Sequence, residues 1–193
     1  MSREVVVGKV VLSEFLTIDG VVQDPGGGEE FEGGGWQAPF FDEDLDMYAQ
    51  EILFESDALL LGRVTYEEFA QAWPGVTDDH GFADRMNSMP KYVASTTLTD
   101  PLEWNASLIR GDVAEEVRKL KRDRDLLVNG SGRLAHALMD HGLIDEFRIW
   151  IHPIVLGAGR RLFTEGIGTM GLRLEDLRRT TKGVVILSLG VAG

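Results

Sequence analysis

The run from Asp123 to His141, DRDLLVNGSGRLAHALMDH, constrains this chain more than any other. Leu126, Leu127 and Val128 form a short apolar block, the pattern of a strand buried on both faces. Asn129, Gly130, Ser131 and Gly132 interrupt it. From Leu134 the apolar residues return at helical spacing, at Leu134, Ala135, Leu138 and Met139. The run predicts strand, glycine turn and helix. Such a turn presents free backbone N–H groups and the positive end of a helix at the carboxyl edge of a sheet, which suits a phosphate. The spacing Gly130-x-Gly132-x-x-Ala135 also fits the G-x-G-x-x-A dinucleotide pattern, although a tight turn without a ligand accounts for the same glycines. A doubly wound dinucleotide fold would place an acid at the end of the next strand, roughly 20 residues on. Asp145 and Glu146 fall instead at that strand's start, which argues against the doubly wound fold and leaves the phosphate.

The rest of the chain reads as alternating strands and helices. Val5 to Leu16 predicts a central, buried first strand, closed by Thr17-Ile18-Asp19-Gly20. Asp-Gly is first a turn signal, but Thr17 and Asp19 at a strand end are also placed for a site. Val21 to Phe41 has no regular period. Gly26, Gly27, Gly28, Gly33, Gly34 and Gly35 fit either a surface loop tacked down by Trp36, Phe40 and Phe41, or a substrate lid with Trp36 over a planar ring. Asp42 to Phe54 predicts a helix with Asp42 as N-cap; acids in its first turn suit the dipole, and a catalytic role is the alternative.

Ala58 to Leu61 predicts a second strand, followed by Gly62-Arg63-Val64-Thr65 and another helix. This second strand–glycine–helix junction carries Arg63, a bidentate donor suited either to a phosphate or to a surface ion pair. His80 to Met89 reads as a short helix or ordered loop. Lys91 to Ala94 is a third strand ending in Ser95 and Thr96, whose hydroxyls fit a phosphate or a simple turn. A short strand near Ser107 to Ile109 precedes a helix from Asp112 to Arg122. Leu143 to Leu156 reads as a strand with Trp150 in an exposed row and Pro153 marking an edge or bulge. Leu172 to Thr180 and Val184 to Leu189 predict a hairpin around Lys182-Gly183. Strands near both ends favour one integrated sheet and a single domain over 1–193.

The totals restrict the partners. A net charge of −13 argues against nucleic acid or an anionic membrane. The chain has no cysteine, which removes thiol chemistry and Cys-ligated zinc and suits a reducing compartment. Its four histidines lack ligand spacing, so no metal site is expected. No basic segment with an apolar core and cleavage site opens the chain, and no apolar run approaches about 18 residues. A cytoplasmic location is expected.

Three strand ends thus carry phosphate-compatible groups, at Gly62–Thr65, Ser95–Thr96 and Gly130–Leu134, which together favour an extended polyphosphate such as a dinucleotide. The pieces Ser13 to Gly20, Gly34-Gly35-Trp36, Leu61 to Tyr66, Pro90 to Ser95, Asn129 to Leu134, Gly142 to Glu146 and Pro153 to Gly157 resemble the dihydrofolate reductase-like proteins. The resemblance is to the branch similar to the reductase domain of bacterial riboflavin biosynthesis. It implies an α/β three-layer fold with a mixed, mostly parallel sheet, and NADPH across the strand ends. By this resemblance Asn129, Gly130, Ser131, Gly132, Arg133 and Leu134 serve the pyrophosphate and ribose. Gly62, Arg63, Val64, Thr65, Ser95 and Thr96 surround the adenosine phosphates. It further implies hydride transfer to a small heterocycle, pterin-like or ribosylaminopyrimidine-like, with the proton donor among Asp19, Asp42 and Asp44 and substrate contacts from Thr17, Asp19 and Trp36. The zinc-dependent deaminase half of the bifunctional riboflavin enzyme has no counterpart in the sequence. Relatives commonly pair, and a homodimer burying the Trp150 region is expected. A nucleotide-binding or partner-binding protein without turnover is the alternative.

Overall fold

The computed structural model describes residues 8–192. Six strands run parallel: β1 (Val10–Thr17), β2 (Ala58–Gly62), β3 (Lys91–Ala94), β4 (Ala106–Leu108), β5 (Leu126–Asn129) and β6 (Glu146–His152). A hairpin of β7 (Leu172–Arg179) and β8 (Val185–Val191) joins antiparallel to β6. The eight strands form one sheet in the order β4-β3-β2-β5-β1-β6-β8-β7. This is the expected mixed, mostly parallel α/β sheet, with β1 central and buried along almost its whole length.

Five helices cover it: α1 (Glu43–Phe54), α2 (Arg63–Ala72), α3 (Phe82–Ser88), α4 (Val113–Leu120) and α5 (Gly132–Asp140). The alternation of side chains along each strand divides the core in two. Val10, Leu12, Leu60 and Val128 pack with Val117 of α4 and with Leu134 and Leu138 of α5. Val11, Leu59, Leu61 and Leu127 pack on the other side with α1, Tyr66 of α2 and Met86 of α3. The result is three layers around one sheet. Among the described residues no helix is long and apolar enough to cross a membrane.

One expectation is corrected. Trp150 is 1% exposed, donates from Nε1 to Ser13 Oγ, and meets the rings of Phe15 and Tyr48 edge-on. β6 is an interior strand with β1 on one side and β8 on the other. Its alternation of apolar and polar residues separates two buried faces rather than a core from solvent. Trp150 therefore belongs to no exposed row. The strand is also shorter than its apolar run, and Pro153 lies just past its end rather than on an edge. The hairpin turn falls where Lys182-Gly183 predicts it, with Gly183 at φ +87°, a conformation that favours glycine.

Candidate functional site

Strands β1, β2, β3, β5 and β6 all end on the same edge of the sheet, the edge at which open α/β sheets hold their ligands. The two strand–glycine–helix junctions lie side by side there. Ser131 Oγ accepts from the Gly62 N–H at 2.9 Å and donates to Thr65 Oγ1 at 2.9 Å. A Cβ on Gly130, which sits at φ +60°, would lie 3.4 Å from Thr65 Oγ1, and one on Gly62 would lie 3.4 Å from Ser131 Cβ. The glycines thus allow the two junctions to touch. Ser131 itself adopts φ +66°, a left-handed conformation uncommon for a serine.

Helix ends show what is unusual about these junctions. Asp42 caps α1 by accepting from Leu45 N, and Asp112 caps α4 by accepting from Glu115 N. Asp78 accepts from the N–H groups of Phe82 and Ala83 at the start of α3. By contrast, α2 and α5 have no side-chain cap. Among the described residues, the N–H groups of Ser131, Gly132, Arg133 and Leu134 have no hydrogen-bond partner, whereas the Arg63 N–H continues the β2–β3 ladder beside Ala94. Two helix N-termini without side-chain caps therefore converge on one edge, and the open amides of the α5 junction are a donor set suited to an anion with several oxygens.

The remaining expected residues are placed as follows. Arg63 is exposed and pairs with Glu67 one helical turn on, at 2.8 Å. Arg133 is exposed beside the glycine turn and has no carboxylate partner among the described residues. Asn129 is the last residue of β5, Val64 is exposed, and the Leu134 side chain is core. Ser95 Oγ accepts from Thr97 N and Leu98 N, so it organises its own turn at the end of β3, with Thr96 exposed beside it.

The three acids named as proton donors all serve as acceptors. Asp19 accepts from Thr17 Oγ1 at 2.7 Å, Leu156 N at 3.2 Å and Gly157 N at 2.9 Å, and meets Arg161 at 3.5 Å. The bond from Thr17, with those from the two amides, holds its carboxyl down at about 2. Burial alone would raise the Asp42 carboxyl, but the N–H groups of Lys182 and Leu45 outweigh that and lower it. Asp44 accepts from the N–H and hydroxyl of Thr181. Asp42 and Asp44 thus tie α1 to the β7–β8 turn.

The glycine-rich loop is closed down on this edge. It winds around buried Asp24, which accepts from Gly28 N at 2.6 Å. Trp36 is 4% exposed, donates from Nε1 to Gln23 O, and packs edge-on against His152 with Phe15 and Phe40. In this conformation Trp36 secures the loop and has no free ring face for a substrate. Arg160 pairs with Glu29 at 2.6 Å, and Val22 N donates to Arg160 O, so the loop is laced to the segment after β6.

Two polar residues escaped notice in the sequence. Glu14, in β1, is buried with Oε1 unpartnered, and burial raises its carboxyl to about 8. His152, fully buried at the end of β6, leaves Nε2 unpartnered, and desolvation lowers its imidazole. Glu14 could have been found as the one carboxylate inside an apolar strand run. His152 carried no such signal, because its burial comes from a loop distant in sequence.

Fold and edge together define an α/β domain with the dihydrofolate reductase-like fold. The model of the RibD C-terminal domain matches residues 8–186, and the chain belongs to that family. It is 30% identical over 182 residues to the uncharacterized protein YyaP of Bacillus subtilis, covering 92% of each chain. A Shewanella sp. PV-4 protein provisionally assigned to riboflavin biosynthesis has a similar structure, with TM-score 0.76, 19% identity and coverage of 96% and 99%. The deaminase/5-amino-6-(5-phosphoribosylamino)uracil reductase of Thermotoga maritima gives TM-score 0.65 at 16% identity, over 96% of this chain and 57% of that one.

Proposed function

We propose that this protein is an NADPH-dependent reductase that delivers a hydride to a small heterocycle, pterin-like or ribosylaminopyrimidine-like. The observation that carries this reading is the pair of uncapped helices, α2 and α5, held together through Ser131 and Thr65 at the carboxyl edge. Their donors fit the pyrophosphate of a dinucleotide, and family membership supports a reductase. In this reading the open amides of Ser131 to Leu134 hold the pyrophosphate, and the α2 N-terminus with Ser95 and Thr96 surrounds the adenosine phosphates. Arg133, and Arg63 once released from Glu67, supply the cation that a 2′-phosphate requires. NADPH, when bound, supplies the hydride. The chain orients it and excludes water through the Trp36 loop. Asp19, held as an anion by Thr17 and the 156–157 amides, positions the end of β1.

Titration with NADPH and NADH, followed by intrinsic tryptophan fluorescence and calorimetry, tests the cofactor. NADPH is expected to bind more tightly. Arg63→Ala should weaken NADPH by about tenfold, as loss of a charged hydrogen bond does, and NADH far less. Equal losses would place Arg63 away from the 2′-phosphate, and no binding of either nucleotide would remove the reductase reading. A second reading, nucleotide binding without turnover, draws on the engagement of Asp19, Asp42 and Asp44 as acceptors. NADPH oxidation with a panel of pterins and ribosylaminopyrimidines decides between the two.

A further inference from the structure

His152 closes β6 at the carboxyl edge, beside Thr17 at the end of β1, and is 0% exposed. Its Nδ1 lies 2.9 Å from the carbonyl oxygen of Trp150. A carbonyl only accepts, so Nδ1 carries the proton. Burial disfavours the charged imidazolium, and in the neutral ring Nε2 is then the acceptor. That acceptor has no partner among the described residues. A buried acceptor left unmatched costs stability. Phenylalanine would fill the same space without that cost, so packing alone does not account for the imidazole.

The surroundings of the ring are aromatic. Phe15, Trp36 and Phe40 meet it edge-on, with ring centroids 5.5, 5.1 and 5.7 Å away. Phe15 and Phe40 are only partly buried, whereas Trp36 is fully so, and its indole fills the box they form. Indole is a flat bicycle with one N–H. That N–H donates at 2.8 Å to Gln23 O. A heterocyclic donor thus stands against the imidazole but is spent on the backbone of its own loop. The loop is laced down by the exposed ion pair of Arg160 with Glu29, a weak kind of tie.

We propose that the place of the Trp36 indole is the substrate subsite, and that His152 Nε2 is the acceptor that selects a flat heterocycle presenting a ring N–H. The inference rests on the reductase reading and names what that site takes. With the indole swung out, a ring N–H in the plane of a pyrimidine or pteridine meets Nε2, and Phe15 and Phe40 pack against the ring that carries it. The subsite shares its edge with the open amides of the α5 junction, and β1 lies between β5 and β6 there. Selectivity follows from the unmatched atom. A ligand without the N–H leaves Nε2 buried and unpaired, and a site built to pair a substrate N–H rejects such an analogue strongly. His152 is in this sense a specificity residue for the substrate, and the hydride still comes from the cofactor.

Two neutral pteridines, titrated by fluorescence, test the proposal. Lumazine carries ring N–H groups, whereas 1,3-dimethyllumazine has the same rings and no N–H. The wild-type chain is expected to bind lumazine about tenfold more tightly. His152→Phe, which keeps an aromatic ring in the box, should weaken lumazine by about that factor and leave dimethyllumazine unchanged. Nitrogen NMR of the wild type with isotope-labelled histidine needs no variant to fold. There the Nε2 resonance of His152 should move upfield with lumazine and stay in place with the dimethyl analogue, a response that a merely structural histidine does not give. Failure of lumazine to bind, equal affinity for the two pteridines, or a resonance that does not move would each overturn the proposal. So would discrimination that survives His152→Phe, since methyl bulk would then be its cause. NADPH binding to the wild type, measured alongside, separates the two readings. NADPH bound without discrimination removes the role of His152 and leaves the cofactor. Discrimination without NADPH binding keeps the acceptor and removes the reductase.

Discussion

At the scale of single residues, Glu14 and His152 make opposing demands on pH. Glu14 keeps its proton in the folded chain up to about 8, whereas an unfolded glutamate loses it near the ordinary value of 4.5. Between those values the native state holds more protons than the unfolded one, so stability falls as pH rises, by about 1.4 kcal/mol per unit from this group. Glu14→Gln, which resembles the protonated carboxyl, should remove that slope. Denaturant melts of both proteins from pH 5 to 8 should therefore diverge steadily, with the variant gaining. Parallel curves would mean that Glu14 is ionised and paired. His152 acts in the other direction. Its imidazole is lowered by burial, so stability declines as pH falls below the ordinary histidine range. Asp42 could be read from sequence because an N-cap is a local device, needing only the helix that follows. The roles of Asp19 and Asp44 could not, since the amides they accept from lie at 156–157 and 181.

At the scale of elements, the two glycine junctions were legible because strand, turn and helix each leave their own period. Their contact through Ser131 was not, since it joins residues 66 apart. β6 misled for a related reason: alternation means core against solvent only when one face is wet, and here both are covered. The glycine-rich loop looked aperiodic and mobile, yet its order comes from close packing around one buried side chain. A Cβ on Gly34 would stand 2.0 Å from Asp24 Oδ2. Gly34→Ala should force the loop from its seat, raising the rate of limited proteolysis within 24–36 while costing the whole domain little. Unchanged protection would show that Asp24 is not the hub of the loop.

At the scale of the molecule, the sheet and its layers followed from sequence because the apolar content of each strand reports how many faces it buries. The hairpin was also legible. The side on which Leu172, Leu174 and Leu177 fall was not, because it depends on a bulge between Leu174 and Asp176 that appears only when β7 is laid against β8.

The lacing of the loop to the segment after β6, through Glu29–Arg160 and Val22–Arg160, has a kinetic consequence. With Trp36 and Phe40 against His152, a ligand for that part of the edge must wait for the clasp to open. The observed association rate should then level off with rising ligand concentration at the opening rate of the loop. Stopped-flow tryptophan fluorescence would show that plateau, and Glu29→Gln, which loosens the clasp, should raise it. A rate that climbs linearly to the fastest measurable mixing would mean that the door is already ajar.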